Sequence, residues 1–146
     1  MKKKIIYFIF FLILIILFVI IVFLTINNEN KTSNENSKYA KNVNDDIKIN
    51  ISEELKEEII FNNLKFSNIE LIRKDGMTIF LADIQNMGEE KAKAQVVKIS
   101  FINENELTIK EVEPHIRELL PNEVYRFSIG MVEDIVDIKK ISIKEP

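Results

Sequence analysis

Asp75-Gly76-Met77-Thr78-Ile79-Phe80-Leu81-Ala82-Asp83-Ile84 is the stretch that decides the fold. Asp-Gly suits a two-residue turn whose central residues both need positive φ, so it predicts a β-hairpin. The residues after it are short in run and rich in β-branched and aromatic side chains, which marks a strand. Alternate side chains of a strand point to opposite faces. If Phe80, Ala82 and Ile84 face a core, Ile79 and Leu81 point outward beside Asp83. An exposed apolar pair on a sheet is a candidate partner surface. The preferred alternative is that this strand is central or covered by a neighbouring helix.

The same texture extends to both sides. Upstream, Ile60, Leu64 and Phe66 share one parity while Ile69 and Leu71 take the other. A phase flip at Ser67-Asn68 predicts a kink or bulge. Downstream, Asn86-Met87-Gly88 ends the strand and the charged segment 89–93 makes a loop. Val97, Ile99 and Phe101 then alternate with Lys98 and Ser100. The segment 103–106 turns the chain and Leu107-Thr108-Ile109 returns it. Pro121-Asn122-Glu123 supplies a tight turn with Asn where positive φ is needed. Tyr125, Phe127 and Ile129 alternate after it, and residues 135–144 close the domain. Residues 114–119 have room for one helical turn. About seven short strands, with turns every 8–12 residues, predict an all-β, immunoglobulin-like antiparallel β-sandwich.

The N-terminal segment has a different texture. Residues 5–26 are 22 consecutive residues without a charge, running from Ile5 through Phe10, Ile15 and Ile20 to Ile26. As a helix this run spans roughly 33 Å, against a hydrocarbon core of roughly 30 Å. It predicts a single transmembrane helix, a signal-anchor whose partner is the lipid bilayer. The rival is a cleavable signal peptide, but the run is longer than an h-region and passes into Leu24-Thr25-Ile26-Asn27-Asn28 without an A-x-A site. The chain has no cysteine, which excludes lipobox cleavage and lipidation and leaves no disulfide to staple an outer domain. Lys2, Lys3 and Lys4 form a cytoplasmic cap (residues 1–4) and set the N-terminus inside. The span holds no Gly, no small-xxx-small pattern and no charge, so it reads as a passive lipid-facing tether.

Setting those three lysines aside leaves 17 basic residues against 23 acidic ones, a net of −6 outside. That charge gives no case for nucleic acid as a partner. Residues 27–50 are dominated by Asn, Lys, Ser, Glu and Asp, a composition that predicts a flexible polar stalk. As a coil, the stalk would hold the domain on the order of 25–30 Å from the membrane. Residues 51–146 are then the extracytoplasmic domain. Asn50 as N-cap, Glu53 at the capping-box position and Ile51, Leu55 and Ile59 on one face predict a short leading helix. The glutamates at 53, 54, 57 and 58 would be its solvated side.

Three segments resemble the FxLYD-type and related small β-sandwich domains of bacterial surface proteins. Ala82-Asp83-Ile84-Gln85-Asn86 looks like the family's A-x-V-x-N strand end. Val97-Lys98-Ile99-Ser100-Phe101-Ile102-Asn103 occupies the place of its namesake strand, with Ile99, Phe101, Ile102 and Asn103 where F, L, Y and D would stand. Leu120-Pro121-Asn122-Glu123 replaces L-x-P-G-E. The resemblance covers residues 59–143, and it implies a sandwich without enzymatic activity.

Site chemistry is sparse. His115 is the only histidine, which removes any His-based metal cluster and leaves a hydrolytic triad dependent on it alone. With three glycines there is little material for a phosphate-cradling loop. Asp45 with Asp46, and Asp134 with Asp137, lack the six to eight converging oxygens of a calcium site. No catalytic, cofactor or metal residue is therefore expected. The function expected is a membrane-anchored interaction or structural module meeting an envelope protein or cell-wall component. The alternative is a metal-dependent sensor or enzyme using His115 and nearby acids, which a melting temperature raised by calcium or zinc would favour.

Overall fold

A computed structural model describes residues 15–18, 20 and 37–146 of the chain. By contacts the chain divides into two units, Met1–Asn36 and Ser37–Pro146. In the first, residues 15–18 and 20 are helical, with Ile15 and Ile20 exposed. Among the described residues no helix is long and apolar enough to cross a membrane. Ile5, Phe10, Ile26, Lys2, Lys3 and Lys4 lie outside them.

The second unit is built of antiparallel strands: β1 (Ala40–Asn44), β2 (Ile47–Asn50), β3 (Ile59–Phe61), β4 (Leu64–Lys74), β5 (Met77–Asn86), β6 (Gln95–Val96), β7 (Lys98–Ile102), β8 (Thr108–Val112), β9 (His115–Ile116), β10 (Val124–Met131) and β11 (Lys140–Lys144). The larger sheet runs β1-β2-β4-β5-β10, with β3 also on β4. A smaller one runs β11-β7-β8, and β6 pairs with β9. The Asp75-Gly76 hairpin forms as its dipeptide requires, with φ of 50° and 77°. It sets β4 against β5 from Lys74↔Met77 to Leu64↔Asn86.

Parity decides the core. Phe80, Ala82 and Ile84 are fully buried, as are Ile99 and Phe101 on the smaller sheet. Phe80 meets Phe101 edge to face at 5.8 Å and Phe127 at 6.2 Å, so both sheets feed one apolar cluster. The phase flip at Ser67-Asn68 is a bulge: the pairing jumps from Ser67↔Asp83 to Glu70↔Leu81, and Asn68 takes a φ of 47°. That extra residue lets Phe66 and Leu71, of opposite parity, both reach the core. Asn122 has a φ of 61°, as its turn requires.

Several sequence expectations need correction. Residues 37–50, read as part of a stalk, belong to the folded unit, and Ala40–Asn50 is a hairpin. Its polar composition misleads because the segment is held by main-chain pairing and polar staples rather than by large apolar side chains. Ile49 pairs with Ile72 across β2 and β4. The Tyr39 amide donates to Asp137 at 2.7 Å, and the Asn50 amide donates to the carbonyls of Val136 and Ile138. Residues 27–36 lie outside the described residues.

The leading helix over 51–58 is absent. Asn50 makes the bond of an N-cap, its side-chain oxygen accepting from the Ser52 amide, but no helix follows it, and Ser52 donates its hydroxyl to the Lys139 carbonyl. These bonds hold the segment as turns, from which Leu55 alone is inserted into the core. Residues 114–119 form β9 and a bridge from Leu119 to Ala92 instead of a helical turn. The closing strand starts only at Lys140, because Ile135, Val136 and Ile138 are buried from a loop. Among the described residues eleven strands, several of two to five residues, stand where about seven were expected.

Candidate functional site

The outer face of the larger sheet carries the candidate partner surface. Ile79 and Leu81 project from β5, which is central between β4 and β10. Across the strands, Ile79 lies beside Ile72 and Gly130, and Leu81 beside Glu70 and Ser128. Ile49 extends the first row through Ile72. All four apolar side chains in these rows are half-buried. The strand is thus central, as preferred from the sequence, but residues 51–58 form no helix to cover it.

One end of this face is polar. Arg126 on β10 reaches across β5, donating from Nη1 to the Asn68 carbonyl at 2.8 Å and to Asp83 Oδ1 at 3.2 Å. Its Nη2 donates to Glu70 Oε1 at 2.7 Å, while Asn68 Nδ2 donates to Asp83 Oδ2 at 2.7 Å. One guanidinium therefore straps three strands together over the bulge. Hydrogen bonding from Asn68 holds the Asp83 carboxyl below its ordinary value, helped by Arg126 and opposed by partial burial.

A depressed folded-state pKa contributes stability that is complete above the unfolded value and is lost as pH falls. Here that value is 3.8. Removing the guanidinium with Arg126→Ala should cost about 1 kcal/mol at neutral pH, the upper range for an accessible pair. The gap between wild-type and variant urea midpoints should close below pH 3.8. A gap that does not change with pH would show that the strap holds the bulge by packing rather than by charge.

Beside the strap lies a cavity of about 710 Å³ between β4 and residues 49–56. Its floor is Leu55, Ile69 and Leu71, all buried. Asn68, Glu70, Asp83 and Arg126 form one wall and Asn50, Ser52 and Lys56 the other. Sequence reading placed the bulge but not this cavity, because the cavity depends on a loop that was read as a helix. The residual signal was Leu55, a lone apolar residue among the glutamates.

The candidates for catalysis stay apart. His115 is exposed on the two-residue strand β9. Asp137 is occupied by the Tyr39 amide, and Asp134 lies 3.8 Å from Arg73 Nε. Asp46 lies in the β1–β2 turn, where its amide donates to Asn44. Among the described residues no three His, Cys, Asp or Glu side chains converge to hold a metal.

At the far end of β5, Asn86 gives the Asn of the A-x-V-x-N resemblance a physical role. It is fully buried, donating to the carbonyls of Glu90 and Leu119 and accepting from the Gly88 amide. Two loops, the one carrying Gly88 and Glu90 and the one carrying Leu119, are thereby tied to one side chain. Compared with models of protein families, with curated proteins and with solved structures, the chain matches none.

Proposed function

We propose that this chain is a single-pass membrane protein whose N-terminus is inside and whose β domain works outside the cytoplasmic membrane as a non-catalytic interaction or structural module. The observation that carries this reading is the uncharged run over residues 5–26, preceded directly by Lys2, Lys3 and Lys4. The domain is read as an immunoglobulin-like sandwich related in build to the FxLYD-type domains. Two sheets feeding one core and the buried Asn86 support that. Its partner would be an envelope protein or a cell-wall component, met through the outer face around Ile79 and Leu81.

Folding of residues 37–50 changes what the tether does. Only residues 27–36 separate the apolar run from the folded unit. Ten residues reach at most about 35 Å. That leaves a tether of ten residues in place of the 24 read from composition.

Fractionation of cells expressing the full chain tests the reading. The protein should resist carbonate extraction and dissolve in detergent, and external protease should remove residues 37–146 from spheroplasts. Replacing residues 5–26 with a polar linker should move it to the soluble fraction. Recovery of the intact wild-type chain in the soluble fraction would overturn the anchor.

A further inference from the structure

The two larger sheets have four outer strands, and three of them carry features that oppose pairing with another chain. β1 holds Lys41 and a register shift between Asn42 and Asn44. β8 holds Lys110, Glu111 and a shift opposite Phe101 and Ile102, and β11 has Lys140 and Lys144 at its two ends. Charges, bulges and short length are the usual protections of a sheet edge. β10 has none of these protections. It runs eight residues and pairs with β5 without a shift, from Val124↔Gln85 to Met131↔Thr78. Its one charge, Arg126, is turned back over its own sheet onto Glu70 and Asp83.

Alternation fixes which main-chain groups this edge offers. The Asn86 amide donates to the Glu123 carbonyl at 3.1 Å, so Glu123 and every second residue after it face β5. The amides and carbonyls of Val124, Arg126, Ser128 and Gly130 therefore point away from the sheet. Among the described residues no strand or loop main-chain group pairs with them. Their side-chain positions lie on the outer face, while Tyr125, Phe127 and Ile129 pack against the core.

We propose that β10 is a dimerisation edge, to which a second copy of this chain adds its own β10 antiparallel, about a two-fold axis at Phe127. Only that centre gives every outward group from Val124 to Gly130 a partner, in about eight interchain hydrogen bonds. An axis at Arg126 would set two guanidinium groups directly opposite each other. An axis at Ser128 would leave Val124 facing Val132, beyond the end of the strand. With the axis at Phe127, Arg126 faces the partner's Ser128 instead. Exposed Val124 faces the partner's Gly130, where the Met77 methyl fills the space a Cβ would take. On the inner face Tyr125 lies beside the partner's Ile129 and the two Phe127 rings meet, pairs that stabilise antiparallel strands. Glu123 and Glu133 flank the strand but are ion-paired with Arg117 and Lys110, so acidic repulsion is not concentrated here. Each copy has one such edge, so a two-fold pair uses both and closes.

The test uses the full chain in detergent. Sedimentation should show a monomer–dimer equilibrium as protein concentration is raised. Over the same range amide exchange should slow about tenfold at Val124, Arg126, Ser128 and Gly130, with little change at Tyr125, Phe127 and Ile129. Ser128 is exposed on the outer face and makes no part of the strap, so it accepts substitution without loss of the fold. Ser128→Lys sets like charges against the partner's Arg126 at two symmetric places and should weaken the dimer about tenfold. Ser128→Glu meets the same guanidinium and should dimerise at least as tightly as wild type.

A monomer at every concentration would overturn the proposal. So would a dimer indifferent to Ser128→Lys, which would place the association elsewhere, as in residues 5–26. Equal weakening by both substitutions would refute the centre at Phe127, since Ser128 would then face itself. The membrane fractionation is unaffected by any of these outcomes, so the anchored-module reading stands or falls separately.

Discussion

Phe80→Ala should cost the domain about 3–5 kcal/mol. Phe80 is fully buried at the junction of the two sheets, packed edge to face on Phe101 and Phe127. Alanine removes the ring's burial and both aromatic contacts, and the neighbouring side chains belong to paired strands that cannot close the cavity. Urea unfolding of the full chain in detergent should show a midpoint lower by on the order of 2 M. Leu81→Ala, one residue along the same strand, is the internal comparison. Leu81 is half-buried on the opposite face, so its truncation should cost about 1 kcal/mol. Similar losses at the two positions would mean that the register of β5 is wrong by one residue.

Asn86→Ala should cost about 3 kcal/mol without removing any large apolar contact. It strands the carbonyls of Glu90 and Leu119 and the amide of Gly88 in a site that excludes water. Asn86→Asp separates hydrogen bonding from size. The carboxylate keeps the acceptor for Gly88 but faces two carbonyls with no proton to donate. Burial and those carbonyls should raise its folded pKa above the ordinary aspartate value of about 4. Protonation restores one donor, so stability relative to wild type should be recovered fully only below the unfolded value of about 4 and be lost as pH rises from there through the folded pKa. A denaturation series from pH 4 to pH 8 checks this. A variant whose deficit is constant across the series would refute the donor role of the side chain.

These substitutions divide the chain between what was legible and what was not. Alternation in 77–84, 97–101 and 125–129 was readable because a strand that is buried on one face writes its period of two into the residue types. The Asp75-Gly76 turn and the positive φ of Asn122 were readable because the dihedral itself selects the residue. Even the bulge showed, as a change of parity at Ser67-Asn68. Ile79 and Leu81 were placed correctly on the outer face of a central strand, although the helix expected to cover them does not form.

The rest depended on partners distant in sequence. Nothing within residues 37–50 announces a hairpin, since Tyr39 needs Asp137, Asn50 needs the carbonyls of Val136 and Ile138, and β2 needs the free edge of β4. The helical spacing of Ile51, Leu55 and Ile59 was a real local preference, overridden when Ser52 found the Lys139 carbonyl. The cavity beside β4 is the product of both, since it lies where two short strands take separate parts of one edge and the segment between them is not helical.

By itself, then, the sequence determined that the chain joins a long uncharged apolar run to an acidic, cysteine-free, antiparallel all-β domain. It also determined which side chains of each long strand turn inward. Tertiary structure alone decided where the domain begins, that residues 51–58 are turns, and that Arg126, Asp83, Asn68 and Glu70 meet beside an open length of β4. The physical reason is range. Side-chain alternation and turn dihedrals are fixed by neighbours a few residues away, whereas edge pairing and polar staples are settled between groups up to about a hundred residues apart, such as Tyr39 and Asp137, 98 apart.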